Sequence, residues 1–141
     1  MSVPPGLYKL TPDDCLRLLK TVPVGRVGVT VDALPSVLPV NFVIKDGTIV
    51  FRTVPGTKLD AATAGMVVAF EAEHYGSDTD RWGWSVLVRG VAEEITDSIE
   101  LEQARSLPLQ SWALDGSADR YVRLEPSIIT GRRVIPPEGI T

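Results

Sequence analysis

The chain has 141 residues, of which 44% are hydrophobic, and a formal net charge of −4 at pH 7. This length fits one domain with a core that needs no disulfide staples. The negative charge and the scattered cations exclude a general nucleic-acid binder, because affinity for phosphate comes mainly from clustered Lys and Arg.

Targeting and redox signals are sparse. No apolar stretch approaches the roughly 18 residues that span a bilayer, and the Met1–Pro5 start lacks the pattern of a signal peptide. The single cysteine, Cys15, cannot form an internal disulfide and fits a reducing compartment. We therefore expect one cytoplasmic domain over 1–141 with no nucleic-acid or membrane partner.

The first predicted element is a helix that begins at Thr11, with Pro12 in its first turn. Thr11 can cap the helix, and proline suits the first helical position. Leu16, Leu18 and Leu19 form its apolar face.

Two predicted strands follow. Gly25–Asp32 alternates valines with small or polar residues, which is typical of a half-buried strand. Leu34–Ile44 is a second strand interrupted by Pro35 and Pro39. Because proline cannot donate to a ladder, we expect this strand at a sheet edge, a bulge or a barrel corner.

Asp46-Gly47 predicts a tight hairpin turn, from which a strand returns over Thr48–Val54. Thr57–Ala64 predicts a short alanine-rich helix that Gly65 ends. Met66–Glu73 alternates again and predicts the next strand.

Residues 74–83 are polar and predict a loop, and Trp84–Ile95 predicts a long strand. Asp97 to Glu100 is a capping box, which predicts a helix to about Leu107. Tyr121–Pro126 and Ile128–Val134 predict the last strands, which leaves 135–141 as a loose tail behind a core of about 11–134. Five to seven closely spaced strands with two or three short helices predict a mainly β, antiparallel barrel.

Four residues form a candidate phosphate site. Arg52 and Thr53 end a strand, and after a Pro-Gly break Thr57 and Lys58 open a helix. A helix N-terminus with nearby cations suits a phosphate. The spacing is not that of a Walker A loop, which favours a mononucleotide-like cofactor. The alternative is an ordinary solvated strand end.

The sequence offers few candidates for catalytic or metal-binding side chains. His74 is the one histidine, no clustered ligand spacing predicts a metal site, and Cys15 is best interpreted as a small core residue. Trp82 and Trp84 predict either core packing or an aromatic wall for a flat ligand. We assign no catalytic residue, so any reactive atoms are expected to belong to a bound cofactor.

In order and spacing, these segments resemble the pyridoxamine 5'-phosphate oxidase-like proteins, a flavin-binding split β-barrel family. The resemblance covers roughly residues 11 to 134. It rests on the opening helix, on Gly25-Arg26-Val27-Gly28-Val29, Pro39-Val40-Asn41-Phe42, Phe51-Arg52-Thr53, Gly56-Thr57-Lys58-Leu59, Val67-Val68-Ala69-Phe70-Glu71, Gly83-Trp84-Ser85-Val86-Leu87-Val88-Arg89-Gly90 and Thr130-Gly131-Arg132-Arg133.

The resemblance implies a Greek-key-like split barrel that forms a homodimer with two flavin sites at the subunit interface. It implies that the Arg52-Thr53 strand end and the Thr57-Lys58 helix start hold the phosphate of FMN. It also implies that the flavin ring lies along one strand and that further residues approach it, some of them from the partner. The strand residues are Pro39, Val40, Asn41 and Phe42, and the further residues are Trp84, Ser85 and Arg132.

The chain departs from true pyridoxamine phosphate oxidases, which carry a basic, histidine-containing C-terminal motif. The corresponding stretch, Ile128–Val134, has no histidine, which argues against oxidation of vitamin B6. The leading hypothesis is an FMN-dependent oxidoreductase acting on a small organic substrate. The alternatives are a reductase using the deazaflavin F420 and a non-enzymatic flavin or haem carrier or sensor.

Overall fold

The structure is a computed structural model and describes residues 4–76, 82–109 and 120–137. Eight strands and three short helices lie within these ranges, which confirms the mainly β class. They are β1 (Gly6–Lys9), α1 (Pro12–Leu19), β2 (Val24–Val31), β3 (Leu34–Lys45), β4 (Thr48–Thr53), α2 (Lys58–Ala62), β5 (Val67–Tyr75), β6 (Gly83–Glu94), α3 (Ser98–Arg105), β7 (Arg120–Leu124) and β8 (Ile128–Ile135).

The strands form one antiparallel sheet in the order β1-β8-β6-β5-β2-β3-β4-β7. The far end of β6 also pairs with β7, so the six strands β2, β3, β4, β7, β6 and β5 close into a barrel. The meander β2-β3-β4 is followed by β5, which returns to lie beside β2, and this is the order of a Greek key. The predicted Greek-key-like antiparallel barrel is therefore confirmed.

Alternating apolar side chains fill the barrel. Val27 and Val29 of β2 point inward, together with Phe42, Phe51 and Phe70 from three other strands. The rings of Phe42 and Phe70 meet edge to face with their centroids 4.8 Å apart, a favoured aromatic geometry. This contact holds β3 against the side of the barrel that β5 forms.

Helix α1 packs on the sheet through Cys15 and Leu19, both fully buried. Thr11 caps the helix by accepting from the Asp14 N–H, and Pro12 is its first residue, as predicted. Gly131 of β8 lies under the helix, where an added Cβ would come within 2.5 Å of Cys15 Sγ. Only glycine leaves room for α1 at this position.

Two strand assignments differ from the prediction. β1 was not predicted, because its four residues are all exposed and show no alternation; its ladder to β8 alone defines it. The predicted loop 74–83 is too long, since His74 and Tyr75 end β5 and pair with Trp84 and Gly83 of β6. Backbone pairing there overrides the polar composition, and the rest of that loop, 77–81, lies outside the described residues.

Helix boundaries differ less. α2 is shorter than the predicted Thr57–Ala64, because the backbone leaves the helical conformation at its C-cap Thr63, where φ is −101° and ψ is 11°. α3 begins as predicted, with the Asp97 carboxylate accepting from the Glu100 N–H at 3.0 Å. Ile135 belongs to β8 and pairs with Gly6, so the predicted tail begins one residue later.

Candidate functional site

The barrel opens where β3 and β4 separate. Their ladder runs from Lys45 opposite Thr48 to Phe42 opposite Phe51 and then stops. Beyond this point β3 stays with β2 through Leu34, whereas β4 stays with β7 through Thr53. A split therefore lies between residues 34–41 of β3 and the end of β4.

The hairpin turn before β3 decides which of its backbone groups face the split. Asp32 and Ala33 form a two-residue turn, both with positive φ (51° and 64°). The residues on either side of this turn, Val31 and Leu34, therefore form the first hydrogen-bonded pair of the ladder. Because bonded pairs alternate along an antiparallel ladder, the backbone groups of the even-numbered β3 residues hydrogen-bond to β2. The Phe42 N–H continues this pattern by donating to the Pro23 carbonyl at 3.2 Å.

The odd-numbered residues of this half of β3 turn their backbone groups toward the split. Pro35 and Pro39 both occupy such positions, so neither proline costs a bond to β2. The predicted sheet-edge position is thus confirmed for this half of the strand. Val37 and Asn41 keep their N–H groups there, and among the described residues no ladder pairs with them on that side. A flat heterocycle with ring N and O atoms fits such an edge.

Arg52 and Thr53 lie across the split from Asn41. Arg52 is half-buried: its guanidinium donates to the Leu109 carbonyl at 3.0 Å and lies 5.1 Å from the centre of the Tyr121 ring. The Thr53 side chain is buried and donates its hydroxyl to the Asp60 carboxylate at 3.1 Å. The strand end therefore holds one cation and one hydroxyl in fixed positions.

Thr57 and Lys58 complete the predicted phosphate site beside this strand end. Thr57 caps α2, accepting from the Asp60 N–H at 3.2 Å and donating to the Val54 carbonyl at 2.7 Å. Lys58 is the exposed first residue of the helix. α2 has five residues, so its macrodipole is small and the Arg52 and Lys58 charges carry most of the attraction for an anion.

Ser85 and Arg132 form a second group. They lie directly opposite each other on β6 and β8, on the outer face of the sheet that Asn41 also shares by alternation. However, β6, β5 and β2 separate β8 from β3, which amounts to about 19 Å along the sheet at ~4.8 Å per strand. One chain therefore does not bring Ser85 and Arg132 to the split.

The side chains of Val40, Phe42 and Trp84 point into the core, with 3%, 4% and 2% of their surface exposed. Val40 and Phe42 can offer backbone groups to a ligand. Trp84 cannot form an aromatic wall in this chain, which corrects that expectation in favour of core packing. Trp82 is half-buried and lies under the Arg133 guanidinium at 4.9 Å from its ring centre.

The remaining reactive side chains lie elsewhere. Burial raises the pKa of the Cys15 thiol above its ordinary value of 9.0, with the Asp14 charge adding to the shift, so the thiol is protonated at neutral pH. His74 is exposed on β5 and not in a loop. Within the described ranges, no three His, Cys, Asp or Glu side chains are grouped as metal ligands, and no helix is long and apolar enough to cross a bilayer.

Sequence reasoning missed Asp60 and Arg120. The Asp60 carboxylate also accepts from the Gly56 N–H at 3.0 Å and from Arg120 at 2.8 Å. The Thr57-x-x-Asp60 spacing is a capping pattern that could have drawn attention to Asp60. Arg120 is 60 positions away along the chain, and nothing local signals this contact.

The six strands form an antiparallel barrel in which β3 and β4 separate at one end, and cations lie beside this split. These features are typical of a domain that binds a small molecule. Residues 11–133 match the pyridoxamine 5'-phosphate oxidase family. The chain belongs to this family.

Individual relatives agree. Uncharacterized protein Rv0080 of Mycobacterium tuberculosis is 38% identical over 137 residues, covering 92% of this chain and 86% of the relative. The solved FAD binding protein of Mycobacterium smegmatis is 39% identical with a TM-score of 0.77, covering 89% of this chain and 96% of the other. A candidate pyridoxamine 5'-phosphate oxidase from Corynebacterium glutamicum is 33% identical with a TM-score of 0.83, covering 98% and 99%.

Proposed function

We propose that the chain binds FMN at the split between β3 and β4 and acts as a flavin-dependent oxidoreductase on a small organic substrate. The observation that carries the proposal is the open edge of β3 beside a strand end that holds Arg52 in place, with the exposed Lys58 at the start of the next helix. FMN can use both features, because its ring has hydrogen-bonding N and O atoms and its side chain ends in a phosphate. The flavin class also follows from the family and from the FAD binding protein that resembles this chain.

Each part of the chain has a binding task in this proposal. Pro39 to Phe42 would run along the ring, with the Asn41 N–H as a donor at the open edge. Arg52 and Lys58 would attract the phosphate with their charges. Thr53 and Thr57 would shape the site, because their hydroxyl protons are already donated to the Asp60 carboxylate and the Val54 carbonyl. A single phosphate group matches this pair of cations, which is why we propose FMN rather than a dinucleotide.

When bound, the flavin supplies the redox chemistry, exchanging a hydride or electrons with a substrate at its exposed face. The chain's own residues bind and orient it and exclude water. Within the described residues, Cys15 and His74 both lie outside the proposed site, since Cys15 is buried under α1 and His74 is on β5. Substrate specificity would then depend on the shape of the surface over the ring.

A homodimer would complete the site. The outer face of the sheet exposes a set of apolar side chains whose exposed fractions lie between 40% and 72%, and monomers rarely leave large contiguous apolar patches in water. A two-fold axis over this face would bring Ser85 and Arg132 of the second copy toward the split of the first, which one chain cannot do alone. The apolar set is Val37, Val67, Val91 and Ile128.

Binding titrations test the proposal. Purified protein is titrated with FMN, riboflavin, F420 and haem while flavin fluorescence or the haem spectrum is followed. We expect FMN to bind more tightly than riboflavin, because riboflavin lacks the phosphate. Tighter binding of F420 or haem would replace the FMN proposal, and bound FMN without turnover of any electron acceptor would indicate a carrier.

A further inference from the structure

The Asp60 carboxylate joins three separate segments of the chain. One oxygen accepts from the Thr53 hydroxyl of β4 at 3.1 Å. The other accepts from the Gly56 N–H at 3.0 Å and from the Arg120 guanidinium of β7 at 2.8 Å. Only 10% of the Asp60 side chain is exposed.

A buried carboxylate is costly unless several donors satisfy it. Asp60 has three donors, and Arg120 offsets its charge while also pairing with the exposed Glu94 at 3.2 Å. The arrangement is therefore stable, and its oxygens are already engaged. Asp60 has no role as a direct ligand of an anion.

Asp60 also closes the turn between β4 and α2 from both sides. Its backbone N–H is held by the Thr57 hydroxyl at 3.2 Å, and its carboxylate reaches back to the Gly56 N–H. This is a reciprocal arrangement of the capping-box kind. Gly56 has a φ of +85°, which glycine adopts readily but which leaves the turn in need of such restraint.

We propose that Asp60 is the positioning residue of the cofactor phosphate site. It ties the end of β4, through the Thr53 hydroxyl, to the turn that carries Thr57 and Lys58, so it sets the distance between Arg52 on the strand and Lys58 on the helix. The inference rests on the proposed function. It assigns a role to a residue that would touch no part of the cofactor.

Two substitutions of Asp60 separate the effect of the position of its carboxylate from the effect of its charge. Asp60→Asn keeps the size but removes the charge and leaves one accepting oxygen, so it can no longer accept from Thr53 on one side and from Gly56 and Arg120 on the other. Asp60→Glu keeps the charge but moves the carboxylate by one methylene. The matched control is Glu94→Gln, which removes the other carboxylate partner of Arg120 and leaves Asp60 intact.

The readout is the ratio of FMN to riboflavin affinity, measured by fluorescence titration at low and high salt. We expect both Asp60 variants to lower this ratio about tenfold, the effect of one ordered charge-assisted hydrogen bond. The loss should persist at high salt and leave riboflavin affinity unchanged, and Glu94→Gln should keep the wild-type ratio. If Asp60→Asn fails to fold, Asp60→Glu decides the outcome.

Three results would overturn the assignment: an unchanged ratio in both variants, a ratio that rises in Asp60→Asn alone, or an equal loss of FMN and riboflavin binding. The second would show that the Asp60 charge opposes the phosphate, and the third that Asp60 only supports the fold. Failure of the proposed function is distinguishable, because wild-type protein would then show no preference for FMN over riboflavin.

Discussion

Phe42 and Phe51 are the last directly paired residues of β3 and β4, and the two strands separate immediately beyond them. Both rings are buried in the core, with 4% and 0% exposed. The split therefore begins at a rigid point, and the backbone of Asn41 next to it is held in place before any ligand arrives. Preorganisation of this kind lowers the cost of binding.

The open edge can be tested by removing a single donor. Asn41→Pro deletes the N–H that faces the split but costs no bond to β2, because that position is unbonded in the β2 ladder. We expect flavin affinity to fall about tenfold, the effect of one lost hydrogen bond in a dry site. Fluorescence titration with riboflavin measures it without the phosphate contribution.

The matched control is Asn41→Ala, which removes the side chain but keeps the backbone N–H. Pro35 and Pro39, which have the same backbone orientation, show that the strand accepts proline at such positions. Asn41→Ala should bind riboflavin as wild type does. Equal affinities of the Asn41→Pro and wild-type proteins would show that the ring does not use this edge.

Lys58→Ala should weaken FMN binding more than His74→Ala. Lys58 supplies a charge-assisted contact to the phosphate, worth about 1.5 kcal/mol at an exposed position and hence roughly tenfold in affinity. His74 lies on β5, outside the proposed site. Equal retention of FMN by both variants would rule out the phosphate site as described.

Redox activity should survive loss of the reactive side chains. We expect Cys15→Ser and His74→Ala, singly and together, to keep most of any flavin-dependent turnover of a generic electron acceptor, because the flavin carries the chemistry. An inactive double variant that still holds its flavin would mean that a side chain is catalytic.

Trp84→Ala provides the contrast to these variants. Its buried indole fills the core, so truncation should lower the free energy of unfolding by about 3–5 kcal/mol. Any change in activity would follow from this loss of stability. Chemical denaturation measures it, and a variant of unchanged stability would show that the indole is not packed as described.

A charge on the outer sheet face should break the proposed dimer. Val67 is 72% exposed on that face, and Val67→Asp would place a carboxylate in an apolar interface. We expect a monomer by light scattering at micromolar concentration, with weaker flavin binding. Ile99→Asp is the control, because Ile99 is similarly exposed (68%) on α3. Wild-type protein that is entirely monomeric under these conditions would contradict the dimer.

Glu71 predicts a pH dependence of stability. Burial raises its pKa above the ordinary value of 4.5, the neighbouring Glu73 charge raises it further, and Arg26 at 3.3 Å opposes both. The folded state therefore binds the Glu71 proton more tightly than the unfolded state does. This tighter binding stabilises the fold fully when the pH is below the unfolded pKa of Glu71, and the stabilisation is lost as the pH rises through the folded pKa.

The comparison is with Glu71→Gln, which cannot titrate. Relative to this variant, wild type should lose stability as the pH rises from below 4.5 to neutrality, as followed by denaturation midpoints. A difference that stays constant over this range would show that the pKa of Glu71 is not raised.

Local signals predicted much of the fold. Alternating valines predicted β2, the Asp46-Gly47 turn predicted the hairpin of β3 and β4, and the Asp97 cap predicted α3. β1 was not predicted, because its four exposed residues show no alternation of apolar and polar side chains. Its formation depends on pairing with β8 at the other end of the chain.

The site was predictable only in part. The prolines of β3 indicated an edge, but the place where β3 leaves β4 follows from long-range pairing with β2 and β7. Trp84 alternates with Ser85 along β6, and sequence alone could not say which of the two faces the core. The separation of Ser85 and Arg132 from Asn41 depends on sheet order, which local patterns do not encode.

The most direct test of the central claim is the absorption spectrum of the purified protein, with mass analysis of the ligand released on denaturation. Binding of FMN at the split predicts a flavin band near ~450 nm, a released mass equal to that of FMN, and a weaker band in Asn41→Pro and Lys58→Ala. A protein that carries no flavin and takes up none when FMN is added would contradict the account.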